Sequence, residues 1–245
     1  MFPIVFLVCL AAIGTLAHPT TKRDAAQLIT SCNKPNTVAI TFDDGPYIYG
    51  KDLINTLDKN NVKATFFING NNFRCIYDSD MMDNVKYAYD HGHQLASHTW
   101  HHKNLSTLSW DQLHDEMWRV EQALQRIVGV NPAFMRPPYG EYNDQVLQVS
   151  GARGQKVVIW DFDNGDTAGL SAAQSKGRYK DLVSKHPKNV LTLNHETHNT
   201  TVYDVIPYAI RKLKDAGYKF ATVAECFGGD PYQSIVGPQT KDVSV

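Results

Sequence analysis

The sequence predicts an α/β fold in which a parallel sheet of about seven strands closes, or nearly closes, into a (β/α) barrel. Between Asn36 and Thr222, short β-rich runs alternate with helical patterns, as they do in repeated βα units. Polar residues that do not fit a core pattern follow the predicted strands, at the end where such barrels build their sites. No linker or internal repeat divides this region.

The individual helices and strands are predicted from the spacing of apolar residues and from residues typical of element ends. The best supported helix covers 109–128, where Leu113, Met117, Val120 and Leu124 recur at helical spacing and Ser109 is a suitable N-cap. The other predicted helices are 50–59, 81–91, 143–150 and 203–216. The predicted strands are 37–42, 64–68, 94–97, 133–136, 156–160, 190–194 and 219–222.

Four segments are predicted along the chain. Residues 1–17 are apolar and end in Thr-Leu-Ala, which indicates a signal peptide. Residues 18–35 form an N-terminal segment, 36–226 the barrel domain, and 227–245 a loose tail without the apolar stretch of a lipid-anchor signal. We therefore expect a secreted protein without a membrane anchor, found outside the cell or in the cell wall.

The charge balance restricts the partners. The formal net charge is -1, so there is no polybasic field to attract nucleic acid or an anionic membrane. A neutral substrate and a monomeric protein are the expectations.

Polar side chains follow five of the predicted strands, and in a barrel these ends converge on one face. The residues concerned are Asp43, Asp44, His98, Arg136, Asp163, Asp166 and His195.

A metal site is one interpretation of these residues. His98 and His102 are spaced i, i+4, so in a helical turn both imidazoles could hold one cation, although alone this spacing is weak evidence. Asp43 and Asp44 lie in Asp-Asp-Gly-Pro, which alone is more typical of a turn. Two His and one carboxylate leave coordination positions open for water and substrate, as in a hydrolytic centre. A second carboxylate would then act as base, and His195 as the acid.

Five motifs give the chain a family resemblance across about residues 36 to 226. They are TFDDGP at 41–46, SHTWHH at 97–102, RPPYG at 136–140, DNGD at 163–166 and LTLNH at 191–195. In this order they resemble NodB-type polysaccharide deacetylases of carbohydrate esterase family four, and more narrowly fungal chitin deacetylases. The resemblance implies a distorted, NodB-like parallel barrel.

The resemblance also implies a role for each motif residue. Asp44, His98 and His102 would bind the metal, Asp43 would be the general base, and Arg136 would hold Asp43 by a salt bridge. The ion would be Zn²⁺, with Co²⁺ as an alternative that the same ligands would accept.

The remaining implied roles concern the substrate. His195 would protonate the departing amine, with Asp166 orienting it and raising its pKa. The backbone N–H of Tyr139 would help to stabilise the oxyanion. Leu193 and Trp160 would line the acetyl pocket, although a core position for Trp160 is an equal alternative.

Two positions depart from the family pattern. Thr167 follows Asp166 where a Trp is usual, which affects the pocket wall beside His195. Glu196 replaces an Asp that often follows the last motif, and we expect this change to be tolerated.

The cysteines and sequons suit a secreted protein. Cys32 and Cys226 lie just outside the patterned region, so we expect a disulfide between them and a sheltered, unpaired Cys75. Asn104 and Asn199 begin Asn-X-Ser/Thr sequons and are glycosylation candidates.

Three functions remain in competition. The first is hydrolysis of N-acetyl groups in chitin or chitooligosaccharides, giving chitosan and acetate. The second is an acetylxylan esterase with the same metal–water chemistry. The third is a catalytically weak secreted protein that binds chitin without turnover.

Overall fold

The computed structural model describes residues 24–238. The predicted signal peptide, residues 1–17, lies outside the described residues. The strands are β1 Leu28–Ile29, β2 Thr37–Ala39, β3 Thr41–Gly45, β4 Thr65–Ile68, β5 Gln94–Ser97, β6 Val130–Pro132, β7 Phe134–Met135, β8 Lys156–Val158, β9 Phe162–Asp163, β10 Asn189–Leu193, β11 Lys219–Ala221 and β12 Tyr232–Ile235. The α-helices are α1 Gly50–Lys59, α2 Ser79–Asp90, α3 Trp110–Val128, α4 Asp144–Ala152, α5 Ala172–Lys185, α6 Ile206–Asp215 and α7 Val223–Phe227.

Two parallel sheets form a distorted barrel. One has the strand order β1-β8-β7-β5-β4-β3, and the other has the order β11-β2-β10-β9. The chain passes from the second sheet to the first between β2 and β3, which are separated by Ile40 alone. There the sheets are joined directly, because the backbone N–H of Asp43 donates to the carbonyl of Asn194 at 2.9 Å. The polar ends of β3 and β10 therefore lie side by side.

The helices cover the barrel with apolar faces, of which that of α3 is the longest. Ser109 and Gln112 form a reciprocal capping box at its start, and Gly129, with φ 76°, ends it in the left-handed region. Leu113 and Val120 are fully buried on the side facing the sheet. Burying a side chain of this size contributes about 1.5–3 kcal/mol, so packing against the sheet stabilises the helix.

The structure adds elements that the sequence pattern did not reveal. β1 pairs with β8, so the sheet begins inside the predicted N-terminal segment. The prediction of a loose tail is wrong for Tyr232–Ile235, because these residues form β12 and pair with β6 in an antiparallel ladder. The hydroxyl of Tyr232 also accepts from the N–H of Leu95 at 3.2 Å. Strands of two to four residues are too short to show a reliable hydrophobic period.

Helix α5 is not among the helices predicted from the sequence. It has a complete capping box at Ser171 and Gln174, but within the helix only Ser175 and Tyr179 are buried. A helix with so narrow a buried face gives little periodic signal.

The disulfide between Cys32 and Cys226 is present, with the two Cα atoms 5.2 Å apart. It ties the segment after β1 to α7, and so links the two ends of the barrel region across a sequence separation of 194 residues. Cys75 is free, and it is half-buried rather than sheltered.

Candidate active site

Asp43 and Asp44 reach the same site because the strand is irregular at this point. In a regular strand, neighbouring side chains point to opposite faces. Here the β3–β4 register shifts between Asp43 and Gly45, and Asp44 has a φ of 70°. A bulge of this kind redirects a side chain. As a result, carboxylate oxygens of Asp43 and Asp44 lie 3.7 and 3.6 Å from Nε2 of His98.

Asp44, His98 and His102 form a cluster that could hold a metal ion. One ligand atom from each residue lies within 4.8 Å of the other two. Oδ1 of Asp44 is 3.3 Å from Nε2 of His102. Two imidazole nitrogens and one carboxylate oxygen are a donor set that suits a divalent ion such as Zn²⁺. Three protein ligands would leave coordination positions open to water and substrate.

The tautomer of His98 suits this role. Its Nδ1 donates to the carbonyl of Arg136 at 2.7 Å, which directs the lone pair of Nε2 toward Asp44. Burial lowers the pKa of His98 to about 3, although the Asp44 carboxylate opposes the shift. The imidazole is therefore neutral at ordinary pH, as a metal ligand must be.

Arg136 holds the carboxylate of Asp43 from behind. Nη1 of Arg136 donates to Oδ1 of Asp43 at 2.8 Å and to the hydroxyl of Thr41 at 2.7 Å. Both members of the ion pair are buried. Burial raises the pKa of Asp43 above its usual value, and the Arg136 charge works against that rise. A carboxylate whose pKa is moved toward neutrality is a better general base.

His195 and Asp166 form the second polar pair of the site. Nδ1 of His195 donates to Oδ1 of Asp166 at 2.8 Å, and the backbone N–H of His195 donates to Oδ2 at 2.9 Å. Thr201 adds a hydroxyl donor to the same carboxylate at 2.8 Å. Burial by itself would lower the pKa of His195, but the bond to Asp166 and the charges of Asp166 and Asp43 raise it to about 9. His195 is thus protonated at neutral pH.

One cavity of about 310 Å³ is lined by Asp43, Asp44, His98, His102 and His195. An isolated parallel bridge places Asp43 of β3 beside His195, so the predicted base and acid both line the cavity. Its remaining lining residues are Pro137, Tyr139, Trp160, Asp163, Thr167 and Leu193. Trp160 is half-buried and lines the cavity, which favours the wall position over the core alternative.

The structure brings together every residue that the motifs placed at the site, and two further residues, Asn72 and Glu196, support it. Nδ2 of Asn72 donates to Oδ1 of Asp44 at 3.3 Å. Glu196 is buried and accepts from the N–H of Tyr47 at 2.8 Å, which ties the loop after Asp44 to the end of β10. Asn72 lies four residues after β4. Its position near a strand end could have identified it from the sequence as a candidate site residue.

The glycosylation candidates lie away from the cavity lining. Asn104 is half-buried, and its side chain accepts from the N–H of Ser106 at 3.0 Å. Asn199 is exposed. Modification of either residue stays a prediction.

Comparisons with known proteins assign the family. A polysaccharide deacetylase family model matches residues 30–158. The chain belongs to this family. A chitin deacetylase of Pestalotiopsis sp is 36% identical over 238 residues, which cover 93% of this chain and 77% of that protein. A chitin deacetylase of Colletotrichum lindemuthianum is 33% identical over 227 residues, with 89% and 91% coverage.

Solved structures agree with this polysaccharide deacetylase fold. The chitin deacetylase from the fungal pathogen Colletotrichum lindemuthianum superimposes with a TM-score of 0.81 at 31% identity, covering 85% of this chain and 94% of that one. A family 4 carbohydrate esterase from Streptomyces lividans, in complex with acetate, gives a TM-score of 0.67 at 29% identity, with 85% and 100% coverage. The predicted family, the α/β barrel and the deacetylase class of hydrolase are confirmed.

Proposed function

We propose that this polysaccharide deacetylase hydrolyses the N-acetyl groups of N-acetylglucosamine residues in chitin or chitooligosaccharides, giving chitosan and acetate. One observation carries the proposal: a trio that could hold a metal ion, a buried carboxylate and an imidazole of raised pKa all line one cavity. The named chitin deacetylases among its relatives support the substrate. The small net charge of -1 suits a neutral polymer.

Asp44, His98 and His102 would hold the ion, and we propose Zn²⁺, with Co²⁺ acceptable to the same ligands. When bound, such an ion lowers the pKa of water and polarises the amide carbonyl. Asp43 accepts the proton of the attacking water, while Arg136 keeps its carboxylate in place.

The other residues act on the amide as it breaks. The backbone N–H of Tyr139 stabilises the developing oxyanion, and Leu193 and Trp160 border the acetyl methyl group. Nε2 of His195 delivers its proton to the leaving nitrogen, because Nδ1 is already engaged by Asp166. Proton delivery is essential here, since an amine anion is a very poor leaving group.

The protonation state of His195 meets the demand of amide hydrolysis for an acid. An alkoxide can leave an ester without prior protonation far more easily than an amine anion can leave an amide. The Asp166 carboxylate raises the pKa of His195 to about 9, against the lowering effect of burial, so the acid is in its charged form at neutral pH. A charged acid at this position can supply the proton that a departing amine needs.

We also propose that the protein is secreted and acts outside the cell or in the cell wall. The Cys32–Cys226 disulfide supports this, because disulfides form and persist in oxidising compartments. Within residues 24–238, no helix combines the length and apolarity needed to cross a membrane. The monomeric state stays a prediction.

The decisive experiment measures acetate release from chitooligosaccharides, with acetylxylan as the competing substrate. We expect release from the oligosaccharides, loss on chelation and recovery on adding Zn²⁺. Preference for acetylxylan would support the esterase alternative instead. Binding to chitin without acetate release would support the non-catalytic alternative, and activity that persists after complete metal removal would refute the metal mechanism.

A further inference from the structure

The segment that carries His102 has a strained backbone. We call residues 99–103 the His102 loop. Within it, Thr99 has a φ of 70° and His102 a φ of 55°, both in the left-handed region. A non-glycine residue held there costs on the order of 1–3 kcal/mol, and persists only where the surroundings fix it. The position of the His102 imidazole therefore depends on what holds this loop.

One side of the loop packs against the segment after β4. Nδ2 of Asn69 donates to the carbonyls of His98 and Thr99, at 2.6 and 3.0 Å. The indole of Trp100 lies over Gly70, where a Cβ would come within 1.8 Å of it. These contacts fix the start of the loop, but they do not reach the residues on either side of His102.

Helix α3 supplies the contacts on the other side through Glu116. Oε2 of Glu116 accepts from the backbone N–H of His101 at 2.7 Å, and Oε1 accepts from its ring Nδ1 at 2.9 Å. The ammonium of Lys103 lies 3.0 Å from the same Oε1. The carbonyl of Glu116 accepts from the N–H of Trp100 at 2.9 Å. One residue thus binds the backbone and ring of His101 immediately before His102, and the side-chain ammonium of Lys103 immediately after it.

Glu116 is only 1% exposed, which is unusual for a glutamate. Within the described chain, all the partners of its carboxylate belong to the His102 loop. Burying a carboxylate carries a desolvation cost of several kcal/mol, which only matched donors offset. A hydrophobic residue at this position of α3 would avoid that cost but would leave the loop unheld.

We propose that Glu116 is a positioning residue for the metal centre. By binding the backbone N–H of His101 just before His102, and the side-chain ammonium of Lys103 just after it, it keeps Nε2 of His102 near Oδ1 of Asp44, at 3.3 Å. Within the described residues, no hydrogen bond or ion pair joins Glu116 to any of the three ligands, so its effect passes through the loop. This inference rests on the metal site of the proposed function.

The test compares two glutamates of the same helix. Glu121 is also buried, and accepts from Nε of Arg153 at 2.7 Å and from Nε2 of Gln155 at 2.8 Å, away from the His102 loop. Glu116→Gln and Glu121→Gln therefore each remove one buried charge from α3. Their Zn²⁺ affinities are measured on metal-stripped protein by competition with a chromophoric chelator, without substrate.

We expect Glu116→Gln to weaken Zn²⁺ binding by about 10–100-fold, the range found for residues that orient metal ligands. Glu121→Gln should stay within about threefold of the wild type, even though melting temperatures fall in both variants. Equal Zn²⁺ affinity in the two variants would overturn the proposal. Wild-type protein that binds no Zn²⁺ would refute the metal site itself, which is a separate result.

A second variant covers the case in which Glu116→Gln does not fold. The side chain of His101 is 35% exposed, so His101→Ala should be tolerated. It removes the Nδ1 bond to Glu116 but keeps the backbone bond, and we expect a smaller loss of Zn²⁺ affinity, severalfold. Unchanged affinity in His101→Ala would also contradict the proposal.

Discussion

The pair formed by His195 and Asp166 allows a quantitative prediction. Asp166→Asn keeps the size and shape of the side chain but removes the charge that raises the pKa of His195 to about 9. Burial, which lowers that pKa, then dominates, and we expect it to fall to about 6.5 or below, the usual value for histidine. The difference corresponds to about 3.4 kcal/mol.

The rate loss follows from the protonated fraction of the acid. At about pH 8 the protonated fraction of His195 is roughly 0.9 in the wild type and roughly 0.03 in Asp166→Asn. We therefore expect kcat/KM to be about 30-fold lower in the variant. At about pH 6 most of the imidazole is still charged in the variant, so this cause contributes a loss of less than about twofold. The deficit should therefore grow with pH, and the alkaline limb of the profile should move toward acid.

The assay is acetate release from chitooligosaccharides over this pH range, with Zn²⁺ saturating. Thr201→Val is the matched control, because it removes a donor to Asp166 but leaves the carboxylate charge in place. Its alkaline limb should stay close to that of the wild type. An Asp166→Asn deficit of equal size at both pH values would refute the idea that Asp166 acts through the charge of His195.

The same pair contributes to stability, and the sign can be stated. The pKa of His195 is raised on folding, so its contribution is complete below about pH 6.5 and disappears as the pH rises through about 9. The pKa of Asp166 is lowered on folding, by the bonds and charge of His195 against the opposing effect of burial. Its contribution is therefore lost as the pH falls below the usual aspartate range. The melting temperature of Asp166→Asn should differ most from the wild type near pH 6, and least above pH 9.

Three further changes test the rest of the site and the fold. Asp43→Asn should reduce kcat by roughly 10²–10⁴-fold, the usual contribution of a general base, with Zn²⁺ still bound; wild-type turnover would disprove the base assignment. His102→Ala removes a proposed ligand, and chelator competition should show Zn²⁺ binding weakened by more than about 100-fold. That value is the upper end of the losses found for residues that only hold the ligands in place. Replacing Cys32 and Cys226 by Ser should lower the free energy of unfolding by roughly 5 kcal/mol in the chain-entropy account, whereas a loss below about 1 kcal/mol in denaturant melts would contradict it.

Several features were readable from the sequence because they depend on local signals. Helix α3 begins after Ser109 and ends before Gly129, as its cap and apolar period indicated. Strand β5 and helix α1 have the predicted bounds. Each of these elements buries a continuous face or carries strong end residues, so neighbours along the chain are enough to define it.

Other features depend on residues that are distant in the chain. The antiparallel pairing of β12 with β6 joins segments about a hundred residues apart, so no short window contains the signal. Glu116 looked like one more polar residue on α3. Its burial against the His102 loop exists only after the helix packs.

The sequence alone determines the identity and order of the motif residues, and hence the chemical groups of the site, because side-chain type fixes which atoms can bind a metal or move a proton. The sequence alone does not determine how these residues converge. Asp43 and Asp44 face one cavity because of a bulge whose register is set by pairing with β4, and His195 joins them through the bridge to β3. Backbone pairing between separate strands fixes those directions, and such pairing arises only when the barrel assembles.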